Sequence, residues 1–170
     1  GNWIPLNFAY LADSAKKAKV QPIIYDAMSK RKNLKDIFKT IKDINPEYIG
    51  LSAITATIDE NLKIAKIAKE ANRNIKIILG GVHPSFMYEE ILENSRDIDF
   101  VIIGEGEETL YELLKSIKAK DLNSIEGIAF KDGDFIKKTK PRRFLNNLEE
   151  YKPSFEILNW IDYKYFVLKN

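Results

Sequence analysis

The sequence contains no cysteine. Within these 170 residues that excludes disulfides, a Cys-ligated zinc, a Cys-ligated iron–sulfur cluster and thiol catalysis. It contains one histidine, His83. A multi-His metal site is therefore excluded, and so is a Ser–His–Asp triad unless His83 is its base. An excess of charge of either sign is also lacking. Lys and Arg number 27 and Asp and Glu 25, a formal net charge of +2, which gives no argument for nucleic acid as a partner. No apolar run approaches the ~18–20 residues of a membrane span. No basic–apolar–small leader pattern opens the chain, so the cytoplasm is the expected compartment.

What is present reads as a folded chain. A hydrophobic fraction of 45% is ordinary for a globular domain. The length suits one domain of roughly 100–150 residues with an appendage.

Pro5 can open a helix, with Leu6, Phe8, Ala9, Leu11, Ala12 and Ala15 recurring at helical spacing. Val20 to Tyr25 is a short apolar run and predicts a strand. Asn33 can cap a helix that carries Leu34, Ile37, Phe38, Ile41 and Ile44 on one face, and Asn45-Pro46 ends it. Tyr48 to Ala53 predicts a strand without alternation, as strands covered on both faces show. Thr57 or Asp59 starts a helix. Ile75 to Leu79 is a third strand, stopped by Gly80-Gly81; Pro84 to Asn94 is a short helix; Phe100 to Ile103 is a fourth strand, stopped by Gly104. Glu105 to Glu108 then opens a helix with its acidic residues at the favourable end of the dipole.

Strand–helix alternation with short connections predicts an α/β fold: a flavodoxin-like, Rossmann-like doubly wound parallel sheet in three layers, α/β/α. The pattern changes after about residue 120. Gly127 to Phe130, Asp132-Gly133 and Phe135 to Lys138 predict a β-hairpin. The rest is an irregular linker ending in Phe155, Trp160, Tyr163, Tyr165 and Phe166. The expected division is an α/β domain over residues 1–120 and a hairpin with linker over 121–170. In doubly wound folds a central first strand precedes the first helix. Here the first helix starts near residue 5, so that strand is expected to have been lost by truncation.

Ligands of open α/β sheets bind beyond the carboxyl ends of the strands. That rule selects Ser52 to Thr57, Gly80 to Pro84 and Gly104 to Glu107. Ser52, Thr55 and Thr57 offer hydroxyls beside a helix N-terminus, where they bind a phosphate or cap the helix. Gly80, Gly81, Gly104 and Gly106 admit a ligand close to backbone, or serve turns with positive φ. His83 is a ligand contact or a packed loop histidine. Glu105, Glu107 and Glu108 are an acid–base pair or a solvated first turn. A phosphoacceptor receiver would need an Asp where Ser52 stands. A dinucleotide site would need a third glycine near Thr109, and no Walker lysine is present.

Pro5-Leu6-Asn7-Phe8-Ala9-Tyr10-Leu11-Ala12 resembles the Pro-Leu-Gly-Leu-Ala-Tyr-Leu-Ala opening of cobalamin (B12)-binding domains that precede radical S-adenosylmethionine (SAM) modules. Gly50 to Thr55, Gly80 to Pro84 and Gly104 to Glu107 resemble that family's three later loops. Gly127 to Phe130, Asp132-Gly133, Arg142 to Leu148 and Tyr151 to Pro153 resemble its linker. Anaerobic magnesium-protoporphyrin IX monomethyl ester oxidative cyclases and many methyltransferases belong to this class.

The resemblance implies a cobalamin-binding domain without catalysis of its own. It implies Ser52, Ile54 and Thr55 along the channel for the nucleotide tail, Gly80 and Gly81 where the tail passes backbone, Val82 and His83 at the tail or corrin edge, and Glu105 and Gly106 at the base end. It implies SAM and a [4Fe-4S] cluster only in an absent downstream radical SAM domain, because the Cys-x-x-x-Cys-x-x-Cys motif is missing. The Asp-x-His-x-x-Gly element that supplies a cobalt ligand in some cobalamin proteins is missing too, so no metal-ligating residue is expected. The alternative is a non-catalytic α/β interaction module, possible as a homodimer, that docks through the aromatic tail.

Overall fold

The computed structural model describes residues 5–117, 121–144 and 151–158. The elements follow the order α1 (Leu6–Lys17), α2 (Leu34–Ile44), β1 (Tyr48–Ser52), α3 (Ile58–Ala71), β2 (Lys76–Gly80), α4 (Val82–Asn94), β3 (Phe100–Ile102), α5 (Glu107–Ser116), β4 (Ile128–Asp132) and β5 (Phe135–Lys138). The five strands form one sheet in sequential order. β1, β2 and β3 are parallel, with Ser52 beside Gly80 and Leu79 beside Val101. β4 and β5 are antiparallel, so the hairpin extends the same sheet past β3.

Strand periodicity explains the layers. Ile77, Leu79, Val101 and Ala129 point to one face, against Ala65 and Ala68 of α3, Ile91 and Leu92 of α4 and Ile37 and Ile41 of α2. Ile78, Phe100, Ile102, Ile128 and Phe130 point to the other, against Ala15 of α1 and Leu113 and Leu114 of α5. Helices cover both faces, so β2 and β3 are apolar without alternation. Phe100 and Phe130 pair across β3 and β4 with ring centroids 6.2 Å apart. Asn33 caps α2 as expected: its side chain accepts from Lys35 and Asp36 N–H, and Asp36 accepts from the Asn33 N–H.

The strand predicted over Val20 to Tyr25 does not form; those residues are irregular. A strand needs a neighbour to satisfy its backbone, and none of the described strands pairs with it. Pro22 also lacks a donor. Val20 packs with the α1–α5 layer, whereas Tyr25 and Ala27 pack with the α2–α3 layer. The segment thus carries the chain from one layer to the other.

β1 ends the sheet. Lys76 N–H donates to Glu47 and Ala53 N–H to Gly80, at 3.0 and 2.9 Å. In a parallel ladder this aims the backbone groups of Tyr48, Gly50 and Ser52 away from β2, toward the free edge. Gly50 is exposed, and a Cβ there would find no atom within 4 Å. The expected Trp160, Tyr163, Tyr165 and Phe166 cluster lies outside the described residues.

Candidate functional site

Three turns meet at the carboxyl edge of β1, β2 and β3. The first, after β1, is built by Thr57. Its Oγ1 accepts the Ile54 N–H at 3.1 Å and faces the Ile54 carbonyl at 3.3 Å. Its hydroxyl is spent on the turn, whereas the Thr55 hydroxyl faces the second turn. His83 Nδ1 lies 3.2 Å from Thr55 Oγ1, and His83 N–H donates to the Ala53 carbonyl at 3.4 Å. First and second turns are therefore joined by a side-chain and a backbone contact.

Gly81 has a reason of its own to be glycine. Its φ is +106°, and a Cβ would stand 2.4 Å from the Ala53 oxygen and 2.9 Å from its nitrogen. Backbone packs on backbone here, which only glycine allows. Gly104 also has positive φ, +81°, but a Cβ there would meet nothing within 4 Å. It borders open space.

Ser85, one turn into α4, joins the second turn to the third. Its hydroxyl donates to the Gly81 carbonyl at 2.8 Å and accepts the Gly104 N–H at 3.0 Å. Sequence reasoning passed over this residue. The signal was a serine four positions after a glycine-rich stop, a spacing that lets a hydroxyl reach back one helical turn. Gly106 closes the third turn against α1: a Cβ would sit 3.1 Å from Leu11 Cδ2.

Of the residues singled out from the sequence, Ser52, Ile54, Thr55, Gly80, Gly81, Val82, His83, Glu105 and Gly106 all lie on these three turns or at the strand ends feeding them. Ser52, Gly80, Gly81, His83 and Gly106 are half-buried; Thr55 and Glu105 are exposed. Ile54, Val82 and Phe86 are exposed apolar side chains, Phe86 by 80%. α3, α4 and α5 all begin at this edge and turn the positive ends of their helix dipoles toward it. Asp59 and Glu60 offset that charge on α3, and Glu107 and Glu108 on α5. α4 has no acidic residue in its first turn. The positive field is thus least compensated at Gly81-Val82-His83. Among the described residues no group of three His, Cys, Asp or Glu side chains could hold a metal ion. No helix among them is long and apolar enough to cross a membrane.

Beyond these residues lies a node built on Thr109 and Arg142. Thr109 in α5 is fully buried. Its Oγ1 accepts from Arg142 Nε at 2.8 Å, and lies 3.3 Å from the Glu126 carbonyl and 3.5 Å from that of Glu105. The Arg142 guanidinium, 9% exposed, pairs with Glu108 at 3.0 Å and with Glu112.

An α/β sandwich with a polar and apolar rim at the carboxyl edge of its parallel strands is a cofactor-binding class of fold. The chain belongs to the B12-binding domain family, whose model matches residues 1–114. It is 32% identical over 170 residues to the anaerobic magnesium-protoporphyrin IX monomethyl ester cyclase of Cereibacter sphaeroides, covering 97% of this chain and 28% of that protein. It is 33% identical over 162 residues to an uncharacterized methyltransferase of Pyrococcus horikoshii, covering 94% of this chain and 35% of that one. Among solved structures it is similar to OxsB, a cobalamin-dependent SAM radical enzyme with aqua-cobalamin and SAM bound. The TM-score is 0.77 at 25% identity, over 91% of this chain and 22% of that one. The radical SAM methyltransferase TsrM of Kitasatospora setae shares the fold, with a TM-score of 0.71 at 17% identity over 84% and 28%. The chain spans about a third or less of the length of these relatives.

Proposed function

We propose that this chain binds cobalamin at the three-turn edge and serves as the cofactor-holding part of a radical SAM enzyme of the cyclase or methyltransferase type. The observation that carries the reading is the junction of turns one and two. There Thr55 and His83 face each other beside the acid-free N-terminus of α4, with exposed Ile54 and Val82 alongside. Polar groups and a helix terminus suit the phosphate of a nucleotide tail. The apolar side chains suit the hydrocarbon periphery of a corrin.

In this reading Ser52, Thr55, Gly80 and Gly81 border the tail. Ile54, Val82 and His83 border the ring edge, and Glu105 and Gly106 the base end. The residues fit the cofactor: Gly104 borders open space where a side chain would otherwise project, and Ser85 holds that turn in place. When bound, the cofactor would supply methyl-transfer or oxidation chemistry. This chain's own residues bind and orient, and SAM and the [4Fe-4S] cluster belong to a downstream domain.

We also propose that sequence upstream of residue 1 supplies a strand beside β1. Tyr48, Gly50 and Ser52 present backbone groups there. α1 begins at the carboxyl edge, since Leu11 packs on Gly106. A strand handing over to α1 through a short loop therefore runs parallel to β1.

The test is the visible spectrum after incubation with hydroxocobalamin and desalting, on this chain and on a version extended upstream. Retained corrin absorbance supports the reading, and retention by the longer version alone assigns part of the affinity to the added strand. Absence from both removes the reading and leaves the chain an α/β interaction module.

A further inference from the structure

The last segment of the chain is fastened at two points, and both bear on the third turn of the site. One is Arg142. Its guanidinium reaches Glu108, Glu112 and Thr109, all on α5, the helix that the Gly104–Gly106 turn opens. The other is the stretch 151–158 laid on α1. Ser154 N–H donates to the Ala9 carbonyl at 2.9 Å, Glu156 pairs with Lys16, Lys17 stands over the Tyr151 ring at 4.4 Å, and Leu158 is buried. α1 is also the helix whose Leu11 packs on Gly106.

At the first point the connection is direct. The Thr109 hydroxyl has one proton and two carbonyls within reach, Glu105 in the turn and Glu126 before β4, and it accepts from Arg142. Gly127 closes the node from beneath. Its N–H donates to the Lys140 carbonyl at 2.7 Å, and its carbonyl accepts from Ile103 at 2.8 Å. A Cβ at Gly127, where φ is +79°, would stand 3.2 Å from both the Ile103 oxygen and Thr109 Oγ1. Movement of the Glu105 backbone thus bears on the hydroxyl that holds Arg142, and displacement of Arg142 frees that hydroxyl and two glutamates. The guanidinium is largely buried and holds Thr109, Glu108 and Glu112 at once, so loss of one contact bears on the others.

We propose that Arg142 is a positioning residue: through Thr109 it couples the conformation of the Gly104–Gly106 turn to the placement of the chain segment that leaves the sheet after β5. Occupancy of the turn and placement of residues 139–144 are then one linked equilibrium, and each biases the other. The ligand arm of the test rests on the cobalamin reading; the coupling does not.

The experiment is amide hydrogen exchange on Arg142→Gln, Arg142→Lys and Thr109→Val, with and without hydroxocobalamin. Without ligand, exchange in Arg142→Gln rises on the order of tenfold in peptides over 103–109 as well as 139–143, while β1 and β2 stay protected. Arg142→Lys behaves like Arg142→Gln, because an ammonium cannot span Thr109 and two carboxylates. Thr109→Val leaves the ion pairs and is the gentler variant. It keeps 139–143 protected and still loosens 103–109.

A rise confined to 139–143 in Arg142→Gln overturns the coupling and leaves an ordinary ion pair. With hydroxocobalamin, protection in the unaltered chain spreads from 103–109 to 139–143, and in Thr109→Val it stops at 103–109. If the unaltered chain takes up no cobalamin, the cofactor reading fails and the ligand-free arm still decides the coupling.

Discussion

His83 Nδ1 lies 3.2 Å from Thr55 Oγ1, across a sequence gap of 28 residues, and this contact joins the turns that follow β1 and β2. It is solvated enough to add little to folding. Thr55→Val and His83→Ala should therefore leave folding stability within about 0.5 kcal/mol of the unaltered chain, read by denaturation. Both should weaken retention of hydroxocobalamin several-fold. Equal retention in both variants would remove this pair from the site.

Gly81 and Gly104 both have positive φ but should respond differently to alanine. At Gly81 the added Cβ collides with the Ala53 backbone, so a loss of about 2–4 kcal/mol is expected. At Gly104 there is space, and only the backbone preference is lost, about 1 kcal/mol. Chemical denaturation of the two variants measures the contrast, and equal losses would contradict it.

Asp99 closes the opposite end of the sheet. Its carboxylate accepts from Lys69 at 2.6 Å, Lys76 at 2.9 Å and the Ile77 N–H at 2.9 Å. Lys69 also donates to the Ile75 carbonyl. The Lys69 and Asp99 side chains are 14% and 16% exposed, so the network is worth more than a surface pair. Asp99→Asn should cost about 1–3 kcal/mol, read by denaturation, without affecting cobalamin retention.

The stretch 151–158 should loosen in acid. Glu156 is held below its ordinary carboxylate value, first by the hydrogen bond from Lys16 and then by backbone N–H. A depressed folded value means the contribution is complete above the unfolded value and is lost as pH falls through the folded one. Exchange of the 151–158 amides should therefore accelerate as pH drops below the usual carboxylate range, after correction for intrinsic rates. Glu156→Gln should show the faster rate at neutral pH already. Pair strength should also fall with salt, since both groups reach solvent.

Replacing Leu92 by alanine tests the core. Leu92 is fully buried between α4 and the sheet. A loss of about 2–5 kcal/mol is expected, read as a lower thermal midpoint.

Local chemistry was enough to read much of this molecule. Asn33 followed by Asp36 specified a capped helix because both groups lie within one turn. The stretches Tyr48 to Ala53, Ile75 to Leu79 and Phe100 to Ile103, without apolar–polar alternation, specified strands covered on both faces. The hydroxyl-rich turn after the first strand and the glycines after the other two marked the edge where ligands of this fold bind. None of that needs information from afar.

Other features depend on residues distant in sequence, and the tertiary structure alone decided them. Val20 to Tyr25 has the composition of a strand, yet a strand exists only when a neighbour takes its hydrogen bonds, and among the described residues none does. Gly81 reads equally as a ligand-bordering glycine or a positive-φ turn, and only the fold shows the Ala53 backbone packed where a Cβ would stand. Ser85 reaches Gly104 across 19 residues and Arg142 reaches Thr109 across 33. Periodicity encodes which face a residue presents. It does not encode which distant group that face meets, and the junctions of this site are made of such meetings.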